Sequence, residues 1–156
     1  MSRFTAGPAA TEAAGEEFAR LLRPGDVVLL SGPLGAGKTT FVRGLARGLG
    51  VRERATSPTF TIVRQHECHN DLGIATLHHA DVYRVTSLDE VFDLALGELV
   101  EEAAVAVVEW GELAAPVFGA DVVTVSIAVT SDEGRTIDVD GAGARDRAEA
   151  LARWAS

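Results

Sequence analysis

The 156 residues are 47% apolar and 24% charged, a composition that fits one domain over residues 1–156 and leaves little room for a second. The net charge of −9 at pH 7 excludes a protein whose own grip on a polynucleotide comes from phosphate contacts, because such proteins carry a basic footprint. The opening run MSRFTAGPAATEAAGEE has no long apolar stretch and the chain has a single cysteine, so neither a signal peptide nor a membrane span is expected, and a reducing, cytoplasmic setting is.

In chain order, the apolar residues Ala14, Phe18, Leu21 and Leu22 recur at helical spacing from Thr11, and Pro24-Gly25 closes that helix before the buried strand Val27-Val28-Leu29-Leu30. After a glycine-rich loop, Phe41, Val42, Leu45 and Ala46 share one face of a second helix, which Gly48 and Gly50 stop. A polar loop from Arg52 to Pro58 leads to two hairpin strands, Phe60 to Arg64 and Ile74 to His79, around the turn Asn70-Asp71-Leu72-Gly73. His66, Cys68 and His69 crowd together near that turn. Zinc sites usually need two spaced ligand pairs, and the second pair is missing.

Ser87 and Glu90 have capping-box spacing and start a short helix near Leu88 that ends at Gly97. The wholly apolar run 103–108 is short and valine-rich, which favours a buried strand, and it ends in Glu109-Trp110. Residues 122–128 and 135–140 alternate as a strand pair, and the alanine-rich tail from residue 141 reads as a terminal helix. These elements predict an α/β protein: a P-loop NTPase-like three-layer fold with a central mixed β-sheet flanked by helices.

The chemistry is densest in SGPLGAGKTT, residues 31–40, which holds the only lysine of the chain. Gly32, Gly37, Lys38 and Thr39 satisfy GxxxxGK[ST] between a strand and an amphipathic helix, the context that the motif requires. Gly35 and Gly37 let peptide N–H groups turn toward phosphate oxygens, and the following helix offers its positive end. Lys38 should reach the β- and γ-phosphates as a slim ammonium where a planar guanidinium does not fit, and the Thr39 hydroxyl should ligate Mg²⁺. A magnesium-bound nucleotide also needs an acidic group at a neighbouring strand end. Glu109 and Asp81 both stand at such ends.

In four places and in this order, SGPLGAGKTTF, TSPTFTIV, HADVYR and VVEWGE, the chain resembles the bacterial TsaE family, formerly called YjeE. Those proteins are the small ATPases of the tRNA threonylcarbamoyladenosine pathway, and the similarity runs from about Thr11 to Arg135. The resemblance implies that Gly35, Ala36, Gly37, Lys38, Thr39 and Thr40 bind the phosphates of ATP or ADP, and that Thr39 with Glu109 holds Mg²⁺. It implies that Thr11 lies near the base, that Ser57-Pro58-Thr59-Phe60 is a switch-like loop sensing the γ-phosphate, and that Arg135 stands near the nucleotide. Lys38, Asp81 and Glu109 would be the catalytic residues, with Tyr83 and Arg84 as supports. It implies TsaD and TsaB homologues as partners, with tRNA met only through them. Ala80 and Gly111 depart from the family pattern, yet neither removes a charge or a phosphate ligand.

The rival reading is a small-molecule P-loop kinase, which closes an arginine-rich lid, whereas residues 111–134 contain no arginine. A GTPase would carry an NKxD element, and no second lysine exists to form one.

Overall fold

A computed structural model describes residues 1–53, 63–81, 103–109, 122–140 and 147–156. The strands among them are β1 (Ser2–Ala6), β2 (Val27–Ser31), β3 (Val63–Glu67), β4 (Thr76–Asp81), β5 (Ala104–Glu109), β6 (Val123–Val129) and β7 (Gly134–Asp140). The helices are α1 (Pro8–Ala19), α2 (Lys38–Gly48) and α3 (Ala148–Ala155). All seven strands join one sheet in the order β1-β7-β6-β2-β5-β4-β3. Its inner strands β6, β2, β5 and β4 run parallel, and the antiparallel pairs β1–β7, β6–β7 and β3–β4 make the sheet mixed, as expected.

Alternation along the strands sorts the side chains onto two faces. Val28 and Leu30 on β2, Val105 and Val107 on β5, and Val125 and Ile127 on β6 join one buried core with Phe18 of α1, Phe41 and Leu45 of α2, and Leu151 and Trp154 of α3. Val27, Leu29, Ala106 and Val108 point the other way and are buried as well, which a parallel sheet covered on both faces requires.

Three glycines set how closely α1 and α2 pack. A Cβ on Gly44 would stand 1.8 Å from the Glu12 carbonyl oxygen, one on Gly48 2.5 Å from that of Glu16, and one on Gly15 2.1 Å from that of Phe41. The helices therefore touch backbone to backbone. Arg47 fastens the exposed rim of this seam, meeting Glu12 at 3.0 Å and Glu16 at 2.9 Å. Trp154 docks α3 on α1, its ring 5.5 Å from that of Phe18 and its indole N–H donating to the Ala14 carbonyl at 3.0 Å.

Several boundaries differ from the sequence reading. Strand β1 was not expected. Its five residues carry little pattern of their own, and they are ordered by pairing along β7 from Ser2 opposite Asp138 to Ala6 opposite Gly134. Helix α1 starts at Pro8 rather than Thr11, since proline at the first helical position loses no internal hydrogen bond. The first hairpin strand runs on to Glu67, past the expected Arg64, and the second begins at Thr76, past the expected Ile74, because Asn70 organises the turn between them: its amide donates to the Leu49 and Ile74 carbonyls, and its side-chain oxygen accepts from the Leu72 N–H. Residues 141–146 of the expected terminal helix, the helix expected from Leu88 to Gly97, and Phe60 to Ile62 of the expected hairpin strand lie outside the described residues.

Candidate functional site

The glycine-rich loop leaves the carboxyl end of β2, between its parallel neighbours β5 and β6, and runs directly into α2. Crevices outside the carboxyl ends of parallel strands are where α/β sheets bind ligands. Gly37 sits in the left-handed region at φ 100° and caps α2, a conformation that costs a side-chain-bearing residue about 1 kcal/mol or more. Gly32 is needed for a different reason. A Cβ there would meet the Ile127 carbonyl oxygen at 2.6 Å, so the loop could not lie against β6. Among the described residues no side chain caps the N-terminus of α2, which leaves its first-turn N–H groups for an anion.

Lys38 is only 6% exposed, and its ammonium donates to the carbonyls of Gly32 at 2.6 Å and Pro33 at 3.1 Å. The loop thus wraps its own lysine. Thr39 and Thr40, both half-buried, follow in the first turn of α2.

The carboxylates lie in one row across the strand ends. Parallel register sets Asp81 opposite Glu109 and Glu109 opposite Leu30, so all three side chains share the face that α2 covers. Glu109 is buried at 2% exposure, and its Oε2 accepts from Nε2 of His79 at 2.5 Å. The hydroxyl of Thr39 and the carboxylates of Glu109 and Asp81 are hard oxygen donors of the kind Mg²⁺ takes, and that ion commonly uses one or two carboxylates while keeping several waters. The donor set fits.

On the other side of the loop lies a cleft of about 280 Å³, lined in part by Gly7, Pro8, Thr11, Gly37, Thr40 and Arg135. Thr11 is buried there, bonded to Thr5 Oγ1 at 2.8 Å and to the Gly7 carbonyl at 3.3 Å, with its methyl 3.6 Å from where a Cβ on Gly37 would stand. Arg135 reaches across to the loop. Its Nε donates to the Ala36 carbonyl at 2.9 Å and Nη2 to that of Gly35 at 3.4 Å, while Nη1 holds the β6–β7 turn through the Ser131, Asp132 and Gly134 carbonyls. The guanidinium is a strut between turn and loop.

The structure thus brings Thr11, Gly35, Ala36, Gly37, Lys38, Thr39, Thr40 and Arg135 around one loop, with Asp81 and Glu109 on adjoining strand ends. Ser57, Thr59, Tyr83, Arg84 and Trp110 lie outside the described residues. His66, Cys68 and His69 do not converge: His66 pairs with Glu53 at 2.7 Å, His69 stands 3.6 Å from Glu67, and no group of three or more metal-ligating side chains occurs among the described residues. Sequence reasoning overlooked Gly7 and Pro8 as cleft lining and His79 as the partner of Glu109. For His79 the sequence signalled only a shared face with Asp81, two residues on along the same strand; its partner on the next strand is set by register.

A model of the TsaE family, described as threonylcarbamoyl adenosine biosynthesis protein TsaE, matches residues 5–137. Among similar proteins, the tRNA threonylcarbamoyladenosine biosynthesis protein TsaE of Treponema pallidum is 46% identical over 125 residues, covering 80% of this chain and 89% of its own. Its namesake in Streptomyces coelicolor is 45% identical over 136 residues, 84% and 90% of the two chains. The one in Bacillus subtilis is 40% identical over 141 residues, 90% and 85% of the two. Among solved structures, a crystal structure of Bacillus subtilis YdiB superposes with a TM-score of 0.75 at 33% identity, covering 98% of this chain and 94% of that one.

Proposed function

The chain belongs to the TsaE family, and from that premise we propose that it is the ATP-binding and hydrolysing subunit serving threonylcarbamoyladenosine modification of the tRNA adenosine beside the anticodon. One observation carries the reading: a phosphate loop with its lysine seated inside it stands at the end of β2, immediately beside a row of two carboxylates.

Residues 1–156 would act as a single ATPase domain. The loop N–H groups from Gly35 to Thr40 and the Lys38 ammonium would hold the β- and γ-phosphates, and Thr11 would border the base in the cleft above Gly37. Arg135 would keep the loop in register by holding its outward carbonyls, which leaves the inward N–H groups for the ligand. Thr39 and Glu109 would bind Mg²⁺, which when bound neutralises charge on the β- and γ-oxygens. Lys38 and the loop dipoles would stabilise charge as it spreads over the transferring phosphoryl group, and Asp81 would orient the attacking water. Ser57 and Thr59 would sense the γ-phosphate.

Turnover of the isolated chain would be weak, since the Arg135 guanidinium beside the loop is held by backbone carbonyls of loop and turn and so is not presented as an arginine finger. Partner proteins would raise it. TsaD and TsaB homologues are the partners we propose, in the cytoplasm, with tRNA handled by them; the net charge of −9 favours protein contacts over direct RNA binding. Among the described residues no helix is long and apolar enough to cross a membrane.

The test is phosphate release and association measured together. The chain should co-purify with TsaD and TsaB homologues in a manner that differs between ATP and ADP, and its phosphate release should rise in their presence. Association indifferent to the nucleotide, with no stimulated release, would reject the switch reading.

A further inference from the structure

His79 is fully buried, and among the described residues only one of its two ring nitrogens has a partner: Nε2 faces Glu109 Oε2 at 2.5 Å, while Nδ1 meets no hydrogen-bonding group. A buried polar atom without a partner gives up its hydration for nothing in return. Its neighbours in the same strand-end region, Leu77 and Val107, fill that face with hydrocarbon, so packing alone would be served as well by an apolar residue. The ring therefore occupies this position at a cost in stability, and its one polar contact is to the carboxylate proposed above to hold magnesium.

We propose that His79 is a positioning residue for Glu109, donating from Nε2 to Oε2 and so fixing the carboxylate's rotamer with its other oxygen left for the cation. The idea rests on the proposed role of Glu109. Register supplies the geometry: His79 lies opposite Val107, one pleat before the Asp81–Glu109 pair, so the imidazole approaches Glu109 along the same face from the strand alongside. A long carboxylate at a strand end has three rotatable bonds, and a single directional donor removes most of that freedom before any ligand arrives. Histidine suits the task since its ring holds one donor atom far from the backbone in a rigid frame.

The test uses variants that place a donor at different reaches. Glutamine presents its amide nitrogen where the Nε2 of histidine stands, asparagine where Nδ1 stands, and leucine presents none. Binding of ADP to the full chain is titrated by calorimetry across Mg²⁺ concentrations. His79→Leu and His79→Asn should each raise the Mg²⁺ needed for half-maximal enhancement about tenfold or more, the loss typical when a ligand's supporting hydrogen bond is removed, and His79→Gln should stay within about threefold of the parent. Equal behaviour of the asparagine and glutamine variants, or an unchanged Mg²⁺ midpoint in all, would overturn the proposal. Glu109→Gln separates the two ideas: if it leaves the Mg²⁺ midpoint unmoved, the role of Glu109 fails; if it shifts the midpoint while His79→Leu does not, only the positioning role fails. Imidazole ¹⁵N spectra of the unmodified protein give a readout independent of folding defects. The proton should reside on Nε2, and its residence on Nδ1 alone would overturn the proposal.

Discussion

Replacing Gly44 by alanine puts the α1–α2 seam under direct strain. The new Cβ would stand 1.8 Å from the Glu12 carbonyl oxygen, 2.7 Å from its carbon and 3.0 Å from the Glu16 nitrogen, all backbone atoms that cannot swing aside as a side-chain tip could. Helix propensity works the other way, since alanine in a helix interior is favoured over glycine by about 1 kcal/mol. Overpacking of a core typically costs about 1–3 kcal/mol, and a clash this deep against main chain belongs at or above the top of that range. The net is a loss of about 2 kcal/mol or more, which for a chain of this size lowers Tm by about 4–8 °C. Because α1 carries Thr11 to the edge of the phosphate loop, forcing the helices apart should also weaken ADP binding. Thermal unfolding with and without saturating Mg·ADP reads both effects. A Tm equal to or above the parent would show that propensity prevails and that the helices do not meet through their backbones.

Lys38→Ala should abolish tight ATP binding, since it removes the one ammonium under the loop; unchanged affinity by calorimetry would refute the cradle. Arg135→Ala should weaken nucleotide binding by about 1–2 kcal/mol, or about five- to thirtyfold, through loosening the loop, and Arg135→Lys should recover little because an ammonium cannot span the Ala36 carbonyl and the turn carbonyls together. Recovery by lysine would reduce the strut to a simple charge. Burial pushes the Cys68 thiol from the ordinary 9.0 up to about 11, against a smaller opposing pull from a backbone hydrogen bond with Leu77. The folded thiol then keeps a proton that the unfolded one sheds, so its stabilising contribution is present below about pH 9 and is lost as pH rises toward about 11. Urea midpoints compared at pH 8 and pH 10 should fall more for the parent than for Cys68→Ala, and parallel declines would contradict the burial argument.

Much of this was legible in the sequence where one local pattern met one physical demand. The strand, glycine loop and helix from Val27 to Gly48 announced themselves, because turn chemistry, apolar run and helical periodicity agree over consecutive residues. The placement of Glu109 followed from the apolar run before it. Strand β1 was hidden since its order comes from β7, more than a hundred residues away, and a five-residue edge strand with one buried side chain carries almost no periodic signal. The turn-side ends of the hairpin strands fell elsewhere because Asn70 ties the turn to Leu49 across the fold, a contact no local window contains. The Glu109–His79 contact depends on the register of two parallel strands, and spacing along the chain cannot supply that. Arg135 was placed near the loop by resemblance; that its donors are turned onto carbonyls of loop and turn emerged only from the folded geometry.

The self-wrapped lysine has a bearing on selectivity. With the Gly32 and Pro33 carbonyl oxygens already solvating its ammonium, Lys38 gains from a newcomer only the difference between that ligand and the partners it already holds. A molecule offering a single weak charge gains little by the exchange, whereas a polyphosphate tail brings several negative oxygens to the same spot and prevails. Discrimination by charge density is therefore built into the resting conformation of the loop, upstream of any reading of the base.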